Sequence, residues 1–208
     1  MRSLLLLPFA ALALAGCGDD GPRTTQTRDV AEFTRIENRS SVDVRLRVGE
    51  RQRVQVFAGE NVIDDVSTEV HDGKLEIDFD HDGWGGDDVE VVATVPELTG
   101  IDADGSGDFE VDGIDANEFE LISDGSSDIV LAGSAGRLVV SLDGSGDVDL
   151  AELAARDARV SVDGSGDLDV RAVERLDVRL DGSGDIRYFG DPELAQAVDG
   201  SGDLTRAE

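Results

Sequence analysis

The pentapeptide DGSGD at Asp143–Asp147 returns at Asp163–Asp167, Asp181–Asp185 and Asp199–Asp203, and it stands also at Asp104–Asp108. A near copy, DGSSD, fills Asp124–Asp128, so the six copies follow one another at intervals of 18 to 20 residues. So short a fixed period suits one coil of a β-solenoid better than most helical repeats. The residues around the motif test this reading, because stacked coils must place like residues in columns.

They do. One residue before each copy stand Ala103, Ser123, Leu142, Val162, Leu180 and Val198, and three before stand Ile101, Leu121, Val140, Val160, Val178 and Gln196. On the far side, Phe109, Ile129, Val148, Leu168, Ile186 and Leu204 follow the second Asp directly. Two further on are Val111, Leu131, Leu150, Val170, Tyr188 and Arg206. The alternate positions are polar more often: Ser141, Ser161 and Arg179 before the motif, Asp149, Asp169 and Arg187 after it. Each repeat therefore reads as strand, corner, strand, with one face inward and both Asp side chains outward. Parallel copies stack about 4.8 Å apart and their aliphatic columns form a narrow core.

The fold class expected is all-β: a single-domain parallel β-helix or β-solenoid, right-handed by the general preference of parallel crossovers. Return segments such as AELAARDA, Ala151–Ala158, leave room for a short helical turn. Gly105, Gly125, Gly144, Gly164, Gly182 and Gly200 hold the first bend position of every copy. A sharp corner there calls for a positive φ, which glycine adopts without steric cost. The second glycine is replaced once, by Ser127, which suggests a less strict position.

The 208 residues include 47 acidic and 18 basic side chains, for a net charge of −29. That balance argues against nucleic acid as a partner, since phosphate binding rests on Lys and Arg. It argues equally against docking on anionic lipid through a basic patch. At the N-terminus, Arg2 and the apolar run Leu4–Leu14 lead into LAGC, Leu14–Cys17. A short basic region, an apolar core and small residues before a cysteine read as an export signal. LAGC resembles the bacterial lipobox, which implies cleavage before Cys17 and lipidation of its thiol; an ordinary signal peptide is the alternative. Cys17 is the only cysteine, so no intramolecular disulfide can form. The expected organisation is a signal peptide over 1–16, a lipidated cysteine and flexible tether over 17–29, and the solenoid over 30–208. Gly18 after the cysteine favours the outer membrane by resemblance to the sorting rule of enteric lipoproteins.

Upstream of the repeats, SVDVRLRVG (Ser41–Gly49), RVQVFAG (Arg53–Gly59), GKLEIDF (Gly73–Phe79) and VEVVATVP (Val89–Pro96) alternate as strands do. They read as earlier, less regular coils. FTRIENRSSVDVRLRVG (Phe33–Gly49), VHDGKLEIDF (Val70–Phe79), VVATVPELTGIDADGSGD (Val91–Asp108) and IRYFGDPELAQAVDGSGDL (Ile186–Leu204) together resemble a bacterial envelope family. It is the family of auto-transporter adhesins with a head GIN domain, and the resemblance runs from about Asp29 to Leu204. It implies a β-helical fold on secreted or lipid-anchored proteins and brings no catalytic residues. A literal Gly-Ile-Asn is missing, with Gly113-Ile114-Asp115 and Gly59-Glu60-Asn61 nearest.

No catalytic constellation emerges. Carboxylate pairs of the kind glycosidases use arise everywhere in so acidic a chain. A lyase would need a basic cluster breaking the repeat, and Lys74 is the sole lysine. His71 and His81 lack the cysteine partners of a zinc site. Trp84, between glycines in DHDGWGGDD (Asp80–Asp88), reads either as a ligand-stacking indole or as cover for a coil edge. The motif meets neither the EF-hand nor the glycine-rich nonapeptide pattern for calcium. Asp143, Asp163 and Asp181 are expected in one column, and Asp147, Asp167 and Asp185 in another. These columns either cap backbone N–H groups of their own corners or hold Ca²⁺ weakly between coils. No other cofactor is expected. The partners expected are membrane lipid through Cys17 and an envelope protein or glycan.

Overall fold

The computed structural model describes residues 20–80 and 88–207. Cys17, His81 and Trp84, on which the anchor, one histidine and the aromatic contact were read, lie outside the described residues. The chain forms a β-solenoid of about five turns with no α-helix among the described residues.

The strands in chain order are β1 (Arg23–Arg28), β2 (Arg35–Asn38), β3 (Asp43–Val48), β4 (Arg53–Gly59) and β5 (Val66–His71). Next come β6 (Lys74–Phe79), β7 (Glu90–Val95), β8 (Gly100–Ala103) and β9 (Phe109–Ser123). The remaining strands are β10 (Ile129–Leu142), β11 (Val148–Val162), β12 (Leu168–Leu180), β13 (Ile186–Phe189), β14 (Glu193–Val198) and β15 (Leu204–Arg206). Among the described residues one 3-10 turn, Ile63–Asp65, precedes β5.

The columns read from the sequence are in register. Phe109 pairs with Ile129, Ile129 with Val148, Val148 with Leu168, Leu168 with Ile186, and Ile186 with Leu204. All of these are buried except Leu204, in the terminal layer. Ala151–Ala158 makes no helical turn: it lies inside β11, which bends at register shifts against β12 instead of breaking. Alternating burial of Leu153 and Ala155 keeps that segment on the core as strand.

Two further expectations are corrected before the first repeat. Residues 23–28, placed in the tether, form β1, paired antiparallel with β4 over six residues from Arg23–Gly59 to Arg28–Val54. Thr24, Thr25 and Thr27 suit an edge strand, and polar residues there mask the pattern because both faces are largely wet. The upstream strands also do not stack in chain order. On one side of the solenoid the order is β4, β7, β3, β9, and on the other β5, β6, β2, β8. The coil β2–β3 is thus inserted between β6–β7 and β8–β9, each contact parallel. β4 and β5 pair antiparallel with β7 and β6 and, with β1, seal this end. The β5–β6 hairpin turns on Asp72 and Gly73, at φ 51° and 76°, the left-handed pair that a tight two-residue turn needs.

Candidate functional site

Every corner places two acidic columns and one groove on the outside of the solenoid, so the corner itself is the candidate site. Its glycines are not required for a left-handed backbone, contrary to the sequence reading. Positive φ occurs at Gly113, Gly133 and Gly190 on the return side, and at no corner glycine. The requirement is proximity. A Cβ on Gly164 would lie 1.9 Å from the carbonyl oxygen of Gly144, and one on Gly125 would lie 1.8 Å from that of Gly105. The same oxygen accepts the N–H of the next coil's serine, as from Ser165 to Gly144 at 3.0 Å. Each first glycine thus leaves space for the carbonyl that bonds its own neighbour.

The second glycine is as tightly placed, with a Cβ on Gly166 only 2.0 Å from the oxygen of Gly146. Ser127 is tolerated there by pointing inward, fully buried, its Oγ 3.4 Å from the oxygen of Gly105. Val42 fills the corresponding place in the β2–β3 corner, where Asn38 binds the oxygen of Val42 (2.7 Å) and accepts from Ser40. NRSSVD, Asn38–Asp43, is therefore a seventh corner without glycines. The signal for it was Asp43 followed by alternating Val44 and Leu46.

The second Asp of each corner has a defined role. Asp43 Oδ1 accepts the backbone N–H of Asp108 (3.1 Å), and Asp108 Oδ1 that of Asp128 (3.0 Å). The series continues through Asp147 (3.0 Å), Asp167 (2.9 Å), Asp185 (2.8 Å) and Asp203 (2.8 Å). These carboxylates cap backbone N–H groups, but those of the following coil and not of their own corner. The backbone runs in the opposite sense, with the N–H of Leu168 donating to the oxygen of Asp185 (2.9 Å).

The first column behaves differently. Asp124, Asp143, Asp163 and Asp199 are exposed and make no side-chain hydrogen bond or ion pair among the described residues, while Asp181 pairs with Arg179. At the inner end of this column, burial and then the neighbouring charges of Glu37, Asp124 and Asp102 push the Asp104 carboxyl up. No group of three or more His, Cys, Asp or Glu side chains among the described residues is placed to hold a metal ion.

Between the second Asp column and the residues two further on runs an open furrow of about 530 Å³. Asp128, Asp147, Asp149, Asp167, Asp169 and Asp185 line it, with Arg187 near its end. Arg187 Nε binds Asp169 at 2.7 Å, so the arginine neutralises one end only. A network of ion pairs lies elsewhere, on the outer face around β2, β6 and β8. There Arg35 binds Asp102 (2.9 Å) and Glu120 (2.8 Å), and Arg39 binds Glu76 (3.2 Å). Lys74 and Arg39 hold the buried Glu37. Burial alone would raise the Glu37 carboxyl, but these two cations outweigh it and keep it below the usual range. His71 sits on the exposed β5 end, 3.2 Å from Glu69, as a solvated hairpin residue.

No curated protein matches the chain. A "putative adhesin" from Bacteroides fragilis, 20% identical, covers 89% of this chain and 97% of its own, with a TM-score of 0.74. A "putative adhesin" from Parabacteroides distasonis, also 20% identical, covers 90% and 98%, with a TM-score of 0.58. A "putative lipid binding protein" from the same species is 22% identical and covers 92% and 98%, with a TM-score of 0.51. At these identities the likeness establishes the solenoid alone. The family "Putative auto-transporter adhesin, head GIN domain" matches residues 32–192, spanning corners from Asn38 to Asp185, and the chain belongs to that family.

Proposed function

We propose that this chain is a noncatalytic, lipid-anchored envelope protein whose rigid solenoid presents an acidic furrow for adhesion or another envelope interaction. The observation that carries the reading is the furrow itself. Its carboxylates point outward on a backbone hydrogen-bonded from coil to coil, so charge is displayed at fixed spacing with little ordering entropy left to lose on binding. The partner that fits is an envelope protein or glycan bearing cationic groups, bound with a strong dependence on salt. LAGC at Leu14–Cys17 supports export and lipidation, and Gly18 supports an outer-membrane address.

The test is capture from crosslinked envelopes and on a glycan array, at low and high salt, with the native chain and with Asp149→Asn plus Asp169→Asn. A partner retained by the native chain and lost in both other conditions supports the reading. Retention unaffected by either change removes the furrow from the interaction. For the anchor, Cys17→Ser should release the protein from membranes or stall its processing, and density fractionation of the native protein should place it with the outer membrane.

A further inference from the structure

At the end opposite the antiparallel cap, the sheet stops at β14 on one side and β15 on the other, and no described strand pairs with their outer edges. The layer beneath shows what such an edge offers. There Leu180 O accepts from Asp199 N (2.9 Å) and Gly182 O from Ser201 N (3.0 Å). Asp185 Oδ1 accepts from Asp203 N (2.8 Å), and Ile186 N donates to Asp203 O (2.8 Å). One layer on, the same four positions are Val198 O, Gly200 O, Asp203 Oδ1 and Leu204 N, presented outward in the same register. β14 carries no lysine, proline or bulge, the usual devices that keep strands off an edge.

The edge also dictates sequence. A Cβ on Gly200 would lie 1.9 Å from Gly182 O, and one on Gly202 would lie 1.9 Å from Gly184 O. By the same stacking, the carbonyl of Gly200 excludes any side chain directly above it, and that of Gly202 admits at most a small inward one, as Ser127 shows above Gly107. A segment in register therefore needs glycine at the first position and glycine or serine at the second, with one residue between them. The residue directly after the second of these positions must then bring its N–H to Asp203, as Asp203 itself does to Asp185.

We propose that the β14–β15 edge is a docking site for an extended segment of a partner protein that carries Gly-x-Gly or Gly-x-Ser at its bend and adds as a further parallel layer. Asp199 and Asp203 at this edge favour basic residues flanking the glycines. A second folded copy fits poorly: its inner corners are already stacked, and each chain carries −29. The surface is separate from the furrow, so either reading can fail alone.

The probe is a dye-labelled peptide copying Arg175–Phe189 with Asp181→Arg and Asp185→Arg, titrated into the full chain in detergent and followed by fluorescence anisotropy. The control peptide has alanine at both glycines. Saturable binding is expected, weakened at least about tenfold by the two alanines and reduced by Asp203→Ala and by Leu204→Pro in the protein. Each of these protein variants removes one outward-facing group while leaving the layer beneath its own bonds. Equal binding of the two peptides, or no saturable binding of the glycine peptide, overturns the proposal. Self-association of the chain that displaces the peptide would assign the edge to a second copy instead.

Discussion

Asp147 Oδ1 accepts the backbone N–H of Asp167 at 2.9 Å, one coil further along the solenoid. The two carboxylates of adjacent corners are therefore related through main chain, and each second-column Asp serves the layer above it. The first-column Asp has no such task, and the two columns should respond differently to mutation.

Asp167→Ala should destabilise the fold by about 1–2 kcal/mol, since it removes a charged acceptor and strands the N–H of Asp185. Asp167→Asn, which keeps an acceptor oxygen, should lose much less. Asp163→Ala should be neutral or stabilising, because it removes a like charge from an exposed column. Urea denaturation of the three variants checks this, and amide exchange at Asp185 should quicken only in Asp167→Ala.

Corner glycines should be intolerant for steric reasons. Gly164→Ala meets the oxygen of Gly144 and should lower stability by about 3 kcal/mol or more, the upper range for overpacking. Ser165→Ala keeps the backbone bond to Gly144 and should stay within about 0.5 kcal/mol. Gly73→Ala has open space but a φ of 76°, so its loss should be about 1 kcal/mol. If Gly164→Ala proves no worse than Gly73→Ala, the close corner contact is absent.

Acidity should act in opposite directions at two neighbouring carboxyls. Burial, then Glu37, Asp124 and Asp102, raises the Asp104 carboxyl above its unfolded value, so its ionisation opposes folding at neutral pH. That penalty falls as pH drops through the raised value and vanishes below the unfolded one. Asp104→Asn should accordingly raise the melting temperature at pH 7 and do nothing in strong acid. Glu37 is held low by Lys74 and Arg39 despite burial, so its contribution is present above the unfolded value and lost as pH falls through the folded one. Glu37→Gln should destabilise at pH 7, with the deficit closing in acid. Thermal melts across pH on the two variants separate the effects.

Calcium should stabilise the fold no more than sodium at equal ionic strength. Neighbouring carboxylates about 5 Å apart repel by roughly 0.8 kcal/mol in water and about 3 kcal/mol at an effective dielectric of 20, and salt screens this. Oδ1 of each second-column carboxylate is already engaged by an N–H group, and no three carboxylates among the described residues are placed to hold a cation. A larger shift with CaCl₂, reduced by Asp163→Asn with Asp167→Asn, would instead establish the weak inter-coil site.

Much of this architecture is local, and for that reason the sequence alone determined it. Alternation through Val160, Val162, Leu168 and Val170 sets which face is buried, and the spacing of DGSGD sets the length of a coil. Parallel stacking follows, because a one-residue slip would expose the aliphatic columns and a longer one would break the stack of DGSGD corners. What only the tertiary structure decided are contacts between layers. Whether Gly164 answers to its own φ or to the oxygen of Gly144 is invisible within one repeat, since both demand glycine. Which N–H an Asp caps depends equally on the coil above. The insertion of β2–β3 between β6–β7 and β8–β9 is a choice among strands of similar pattern. It is settled by how buried side chains such as Ile36, Leu75 and Ile101 pack together, and not by the order in which the chain supplies them.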